Sequence, residues 1–191
     1  MKTMETEIVV VAAGPAGLCA AVQAAEDGAQ VIVLEKSPVP GGAANMGMGP
    51  LGIGTKYQKD QMVDISVEKA FNMFMEYTHY QADARLVRRY FEMSGKTIEW
   101  LEDMGVRFAG AFKYFPKSEQ TWHICMTDQG IGRGAASYMV KALMNRAAEL
   151  GVEVLLETPG TGLVMEDGKL AAVMAKDKNG EKIRINCKAV I

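Results

Sequence analysis

The sequence predicts an α/β fold built on a doubly wound parallel sheet, and three observations carry that expectation. An apolar run, Ile8-Val9-Val10-Val11, breaks into the small-residue turn Ala12-Ala13-Gly14-Pro15-Ala16-Gly17 and leads into an alanine-rich helix. A second apolar run, Val31-Ile32-Val33-Leu34, follows and ends on an acid, Glu35. Further on, apolar runs at 152–156 and 188–191 bracket short alternating segments separated by turn dipeptides. Strand, turn, helix, strand is a βαβ unit, and its right-handed crossover makes the two strands parallel. Ile8–Val11 and Val31–Leu34 then lie side by side, with 152–156 beyond the second and 188–191 beyond the first. In order of appearance the sheet reads 3-2-1-4, a Rossmann-like arrangement with an antiparallel β-meander beside it.

The first turn has a chemical logic. Unpaired N–H groups and the positive end of the dipole make a helix N-terminus attractive to an anion. Gly14 removes a Cβ from the approach of a phosphate, and Gly17 lets the helix pack closely on the strand. Ala16, Leu18, Ala20, Ala21, Ala24 and Ala25 supply the small and apolar residues of the helix, and Gly28 is its expected stop. Glu35 follows Gly14 by 21 positions, near the spacing of about 20 at which an acid accepts hydrogen bonds from a ribose. Ala12 stands where the first glycine of the G-x-G-x-x-G fingerprint normally sits. A negative φ is expected there, at which alanine is nearly free; a positive φ would cost roughly 1–2 kcal/mol. The glycine motif alone is a weak signal, whereas the whole strand, turn, helix, strand and acid series is a strong one.

Residues 36–50 are dense in glycine and proline and are expected to form no regular element. Their place directly after Glu35 favours a backbone clamp on a large cofactor over a plain surface loop. Helices are predicted over Val67–Tyr77, about 84–93 with Asp83 as N-cap, and about 96–104 with Ser94 upstream and Gly105 as stop. Phe71, Phe74 and Met75, and likewise Ile98, Leu101 and Met104, mark one buried face each. Arg85, Arg88 and Arg89 read as a solvated face. The stretch 109–134 reads as irregular, 135–150 as a helix ending at Gly151, and 152–156 as a buried parallel strand. Segments 163–165, 170–175 and 182–185 are separated by Asp167-Gly168 and Asn179-Gly180, which are hairpin signals, so they form the meander.

Composition narrows the function classes. A chain of 191 residues with 49% hydrophobic and 23% charged content buries a sizeable core and is not disordered. A formal net charge of −2 leaves no basic footprint, which argues against nucleic acid as partner. No apolar run is long enough for a membrane segment, and the few residues before Ile8 leave no room for a secretory signal. Cys19, Cys125 and Cys187 are widely spaced with no C-x-x-C pair, so free thiols and a reducing, cytoplasmic setting are expected. No metal-binding spacing is present, and no metal site is expected. His123, beside Trp122, is the one candidate for acid–base work, but a hydrogen-bonded loop histidine is the favoured reading, and His79 reads as structural or solvent-facing. Residues 130–134 read as a flexible connection rather than a second phosphate cradle.

Several of these features together resemble the FAD-binding domain of the fumarate reductase and succinate dehydrogenase flavoprotein family, over nearly the whole chain. The residues that carry the likeness are Val9 to Gly17, Val31-Ile32-Val33-Leu34-Glu35-Lys36, Gly41-Gly42, the run 132–151, Thr158-Pro159 and Cys187-Lys188-Ala189-Val190-Ile191. The glycine motif alone admits nicotinamide enzymes; the Leu-Glu-Lys strand end, the Gly-Gly clamp and the meander point to FAD. The resemblance implies that Gly14, Pro15, Ala16 and Gly17 form the pyrophosphate turn, with Glu35 as ribose acceptor and Lys36 beside the adenosine. It implies that Gly41, Gly42, Ala43 and Asn45 reach the pyrophosphate and flavin ring, that Met48 and Gly49 lie by the ring, and that the Gly160 backbone contacts adenine.

On the same likeness, residues 1–191 are the N-terminal part of an FAD-binding domain, with a helical insertion at about 55–130. The second FAD motif and the capping domain that carries the family's catalytic His and Arg would come later, so no catalytic residue is assigned. The expected function is the FAD-binding portion of a flavin-dependent oxidoreductase. Its complete form would pass a hydride between FAD and a C=C bond, or its saturated product, of a small molecule such as a fumarate-like acid, a urocanate-like acid or a steroid enone. Two rivals stay open: a non-catalytic cofactor-binding or assembly module that needs a partner chain, and a nicotinamide-binding module, which the clamp at 41–49 argues against. The edge strand at 188–191 is expected to pair with a second copy or a partner chain.

Overall fold

A computed structural model describes residues 1–191. In chain order the elements are β1 Lys2–Glu5, β2 Ile8–Val11, α1 Pro15–Glu26, β3 Val31–Leu34, a 3₁₀ turn at Gly42–Met46, α2 Lys56–Asp60, α3 Val67–Tyr77 and α4 Ala84–Asp103. Next come β4 Phe108–Phe112, β5 Trp122–Cys125, α5 Ser137–Glu149, β6 Glu153–Leu155, β7 Gly160–Glu166, β8 Lys169–Lys176, β9 Lys182–Asn186 and β10 Ala189–Val190. They divide into two compact units, residues 1–45 with 140–191, and residues 46–139.

The first unit holds the parallel sheet, in the order β10-β2-β3-β6 that the sequence predicts. Register pairs Val9 with Ile32 and Val11 with Leu34, and side chains alternate across a strand, so these four share one face. There Val9, Ile32 and Leu34 pack with Val173, Ile183 and Ile185 from the second sheet and with Cys187 just beyond β9. On the other face, Val10 and Val33 are buried under α1, which contributes Leu18, Ala21 and Val22. The Arg146 guanidinium of α5 sits 3.0 Å from the Glu26 carboxylate of α1. Strand β6 is only half-buried rather than fully so, because it is the outer strand on its side and Glu153 faces solvent.

The second sheet is the expected meander, β7-β8-β9, with antiparallel pairings. Its first hairpin turn has positive φ at both Asp167 (50°) and Gly168 (76°), which matches the right-handed twist of the flanking strands. In the second, the Asp177 carboxylate accepts the N–H groups of Asn179 and Glu181. The segment before Ile8 is not a plain lead-in, because β1 adds parallel to β9 with Lys2 opposite Ile183 and Glu5 opposite Asn186. Four residues of mixed polarity carry no strand signal alone; the open edge of β9 supplies their hydrogen-bond partners.

In the second unit α3 has the predicted bounds, with the Ser66 hydroxyl accepting the Lys69 N–H as cap. The two helices predicted for 84–104 are one helix, α4, capped by the Asp83 carboxylate. Ser94 and Gly95 look like a break and instead make a close contact. The Ser94 hydroxyl accepts the Ile53 N–H at 3.0 Å and donates to the Phe91 carbonyl at 2.9 Å, and a Cβ on Gly95 would stand 2.5 Å from the Ile53 carbonyl oxygen. The stretch read as irregular contains the antiparallel ribbon β4–β5, bulged between Phe108 and Ala111. Part of the Gly/Pro-rich segment also winds into the 3₁₀ turn at Gly42–Met46, and α2 is too short for periodicity to reveal. Ile53, Ile65, Ala70 and Phe91 form this unit's core. No helix of the chain is long and apolar enough to cross a membrane.

Candidate functional site

At the carboxyl end of β2 the chain turns from strand to helix within three residues. Ala12 takes φ 106°, which overturns the negative value expected. The turn is pinned on both sides: the Ala12 N–H donates to the Leu34 carbonyl at 2.8 Å, and its own carbonyl lies directly against Gly17. Gly17 has no room for a side chain, since a Cβ there would stand 1.9 Å from the Ala12 oxygen and 3.3 Å from Val10 Cγ1. A non-glycine residue at such a φ stores about 1–3 kcal/mol of strain. Replacing Ala12 by glycine relieves it but returns about 0.4–1 kcal/mol to the unfolded chain as entropy. Ala12→Gly is therefore expected to raise the urea midpoint by a net stabilisation of about 1 kcal/mol; an unchanged midpoint would show that the turn is not strained.

Ala13 ties three segments together. Its N–H donates to Glu35 Oε2 at 2.8 Å, and its carbonyl accepts the Gly41 N–H at 2.7 Å. The other Glu35 oxygen, Oε1, accepts the Ser37 N–H at 2.8 Å. Burial alone would raise the Glu35 pKa, but the hydrogen bonds from Ser37 and Ala13, with Lys36 nearby, outweigh it and hold the carboxyl below its ordinary range. Each carboxylate oxygen accepts one backbone N–H and the Ser37 side chain adds a further hydrogen bond, which leaves part of the carboxylate's accepting capacity open. The Glu35 carbonyl in turn accepts the Thr158 N–H at 2.8 Å, which brings in the segment that enters β7. Ala13, Ser37 and Thr158 are not among the site residues the sequence predicts, because they act through backbone groups that every residue carries.

Gly14 is the N-cap of α1 at φ −70° and ψ 174°, with no side-chain cap, no acid in the first turn, and Pro15 as the first helical residue. Any residue adopts that conformation, and a Cβ on Gly14 would meet nothing within 4 Å. No protein group requires glycine there. What stands open in front of it is the uncapped helix start, where the Ala16 and Gly17 N–H groups lack intrahelical partners. Across the turn, Gly41 and Gly42 take φ 103° and 49°. Asn45 folds back to donate from Nδ2 to the Pro40 carbonyl at 2.8 Å, and it covers Gly41 so closely that a Cβ would lie 2.5 Å from its Oδ1. Gly42, Ala43 and Lys36 are exposed. Gly160, at the start of β7, is exposed and seated by Val11 and Leu34, with its would-be Cβ 3.3 Å from Val11 Cγ1. All these groups lie outside the carboxyl ends of β2 and β3, where open α/β sheets bind ligands.

Met48 and Gly49 belong to the second unit, where 48–52 runs along β5 like an added strand. The Met48 carbonyl accepts the Cys125 N–H at 2.8 Å and the Pro50 carbonyl accepts the His123 N–H at 2.8 Å. Trp122 Nε1 donates to the Gly49 carbonyl at 3.0 Å. A Cβ on Gly49 would stand 1.8 Å from the His123 carbonyl oxygen. His123 is a strand residue and fully buried. Its Nδ1 lies 3.0 Å from the Thr121 carbonyl and its Nε2 2.7 Å from Thr55 Oγ1. A carbonyl only accepts, so Nδ1 carries the proton and Nε2 accepts the Thr55 hydroxyl. Both ring nitrogens are thus engaged within the protein, which gives His123 a structural role.

Burial lowers the His123 pKa from 6.5, and the sign for stability follows. The unfolded chain binds a proton near 6.5 that the folded chain refuses, so this stabilisation is full above 6.5 and is lost as the pH falls from there toward the folded pKa. The lowered carboxyl of Glu35 acts in a separate window, below 4.5. The melting temperature is expected to fall between pH 7 and about pH 5, and His123→Gln should flatten that fall. An unchanged slope in the variant would contradict the assignment.

A model of the FAD binding domain family matches residues 7–191. A vinyl phenol reductase of Lactiplantibacillus plantarum is 36% identical over 187 residues, covering 97% of this chain and 36% of the relative. An NADH:fumarate oxidoreductase of Klebsiella pneumoniae is 28% identical over 188 residues, covering 97% of this chain and 20% of the relative. Among solved structures, the open conformation of a flavocytochrome c3 fumarate reductase superposes with a TM-score of 0.88 at 26% identity, covering 98% of this chain and 33% of that one. The chain therefore spans 36% or less of the length of these relatives.

Proposed function

The chain belongs to the FAD binding domain family, and on that premise we propose how its residues hold the cofactor and what reaction the complete protein performs. FAD is the cofactor, and the chain is the FAD-binding portion of an oxidoreductase of the fumarate reductase type. The observation that carries the reading is the junction at Ala13, which joins turn, acid and glycine loop around the uncapped start of α1. The residues fit the group. Gly14 faces open space that no protein atom explains, and the donors are backbone N–H groups, which suits a phosphate ligand on a chain of net charge −2.

In this reading the Ala16 and Gly17 N–H groups and the α1 dipole take the pyrophosphate, with Pro15 presetting the first turn. Glu35 braces the turn through its bonds from Ala13 and Ser37 and accepts the ribose hydroxyls with its remaining capacity. Lys36 flanks the adenosine, and the Gly160 backbone meets the adenine. Gly41, Gly42, Ala43 and Asn45 close over the pyrophosphate toward the ring, beside which Met48 and Gly49 lie. FAD, when bound, supplies the two-electron chemistry, and the protein's part is binding, orientation and electrostatics. Cys19, Cys125 and Cys187 are all free thiols, which supports a reducing, cytoplasmic setting.

Relatives are named for reducing a vinyl phenol and fumarate. The complete protein accordingly reduces a small molecule with an activated C=C bond, which gains a hydride and a proton to become CH–CH. The test is anaerobic oxidation of reduced methyl viologen by the complete protein against a panel of fumarate, a urocanate, a vinyl phenol and a steroid enone. Turnover of at least one alkene is expected. Failure on all of them, with FAD bound, would overturn the reaction and leave the cofactor assignment standing.

A further inference from the structure

We propose that the second unit carries a binding site for a small amphipathic anion, a carboxylate on an apolar body, in a cleft between α3, α4 and the turn at 115–121. The cleft has a volume of about 440 Å³, and its walls include Ile53, Ile65, Phe74, Phe91 and Phe115. That size and apolar lining suit a small ligand. The walls are held in place. Phe74 and Phe91 meet edge to face with centroids 5.9 Å apart. The Ser118 hydroxyl accepts the Phe115 N–H at 3.0 Å and donates to the Phe115 carbonyl at 2.8 Å, which fixes the backbone of the turn, and the Phe115 ring stands edge to face on Tyr114 with centroids 4.6 Å apart. Helix α3 was expected to bury Phe74 in the core with Met75; instead Met75 is buried, while Met73 and Phe74 are 41% and 39% exposed and line the cleft.

The polar residues of the lining, Lys117, Ser118, Glu119 and Thr121, all come from the one turn at 115–121. Glu119 is already neutralised, its carboxylate 2.9 Å from Lys69 Nζ. Lys117 is exposed and has no carboxylate partner among the ion pairs of the second unit. The cleft therefore combines an apolar body with one lining lysine that no carboxylate pairs, the complement of an amphipathic anion. None of its residues is assigned to FAD, so the proposal stands apart from that reading.

The test is fluorescence titration of the purified protein with 1-anilinonaphthalene-8-sulfonate, an aromatic anion, competed with decanoate. Neutral N-phenyl-1-naphthylamine is titrated in parallel. Saturable binding at one probe per chain, displaced by decanoate, is expected. Lys117→Glu should weaken the anionic probe and decanoate about tenfold, as reversal of one nearby charge requires, and leave the neutral probe unchanged. Met73→Trp, which fills the cleft from its half-exposed wall, should weaken both probes. Melting temperature and flavin absorbance, unchanged in both variants, keep loss of fold or of FAD distinguishable from loss of this site. Non-saturable binding, indifference to both variants, or a second copy shown by light scattering to cover the cleft would each overturn the proposal.

Discussion

Gly17→Ala is expected to abolish FAD retention and to destabilise the first unit by about 3 kcal/mol. The added methyl would stand 1.9 Å from the Ala12 carbonyl oxygen, and neither side of the contact can yield. Ala12 is held by its N–H bond to Leu34 and already occupies an unfavourable φ of 106°. Ala13, the next residue, is fixed by Glu35 and Gly41. Helix α1 must then lift off β2, which opens the packing of Val10 and shifts the N–H groups proposed to take the pyrophosphate. Displaced donors should cost at least about 100-fold in FAD affinity, equivalent to about 2.7 kcal/mol. Flavin absorbance after gel filtration and a urea titration read the two effects separately. Normal flavin content in a stable variant would mean that α1 does not need its close seat on β2.

Gly49→Ala is expected to destabilise the second unit by about 2–4 kcal/mol while leaving the pyrophosphate end of the cofactor site intact. Here the methyl would stand 1.8 Å from the His123 carbonyl oxygen, again backbone against new side chain. The segment at 48–52 is stitched to β5 by the bonds Cys125 N–H to Met48, His123 N–H to Pro50 and Trp122 Nε1 to Gly49. Moving Gly49 away strains all three and exposes the bond between His123 and Thr55. FAD should therefore stay bound, with a perturbed visible spectrum if Met48 and Gly49 lie by the ring, and the urea midpoint should fall. A variant with the original midpoint would contradict the close packing, and one that loses FAD would contradict the assignment of pyrophosphate binding to the first unit.

Much of the first unit was legible because its signals are local. The βαβ unit shows itself through apolar runs, a glycine at the close contact and an acid at the strand end, and connection rules then order the strands. The meander was readable from Asp167-Gly168 and Asn179-Gly180, whose residue types favour tight turns. What escaped depends on tertiary partners. Ala12 takes a positive φ because Leu34 and Gly17 hold it there, which no residue type announces. Ser94-Gly95 reads as a helix break, yet it is the place where α4 meets Ile53. Strands β1, β4 and β5 are short, and their pairing comes from open edges and a bulge rather than from alternation. His123 reads as a hydrogen-bonded loop residue rather than a proton carrier; Thr121 and Thr55 do occupy both ring nitrogens, but within strand β5, whose pairing the sequence does not announce.

Whether the junction of turn, acid and glycine loop holds FAD is read from the visible absorption spectrum of the purified protein, with chromatography of the ligand released on denaturation. The two visible bands of an oxidised flavin and release of FAD at about one per chain are expected. A colourless protein that takes up no added FAD, or one that selectively retains a nicotinamide dinucleotide, would contradict that assignment.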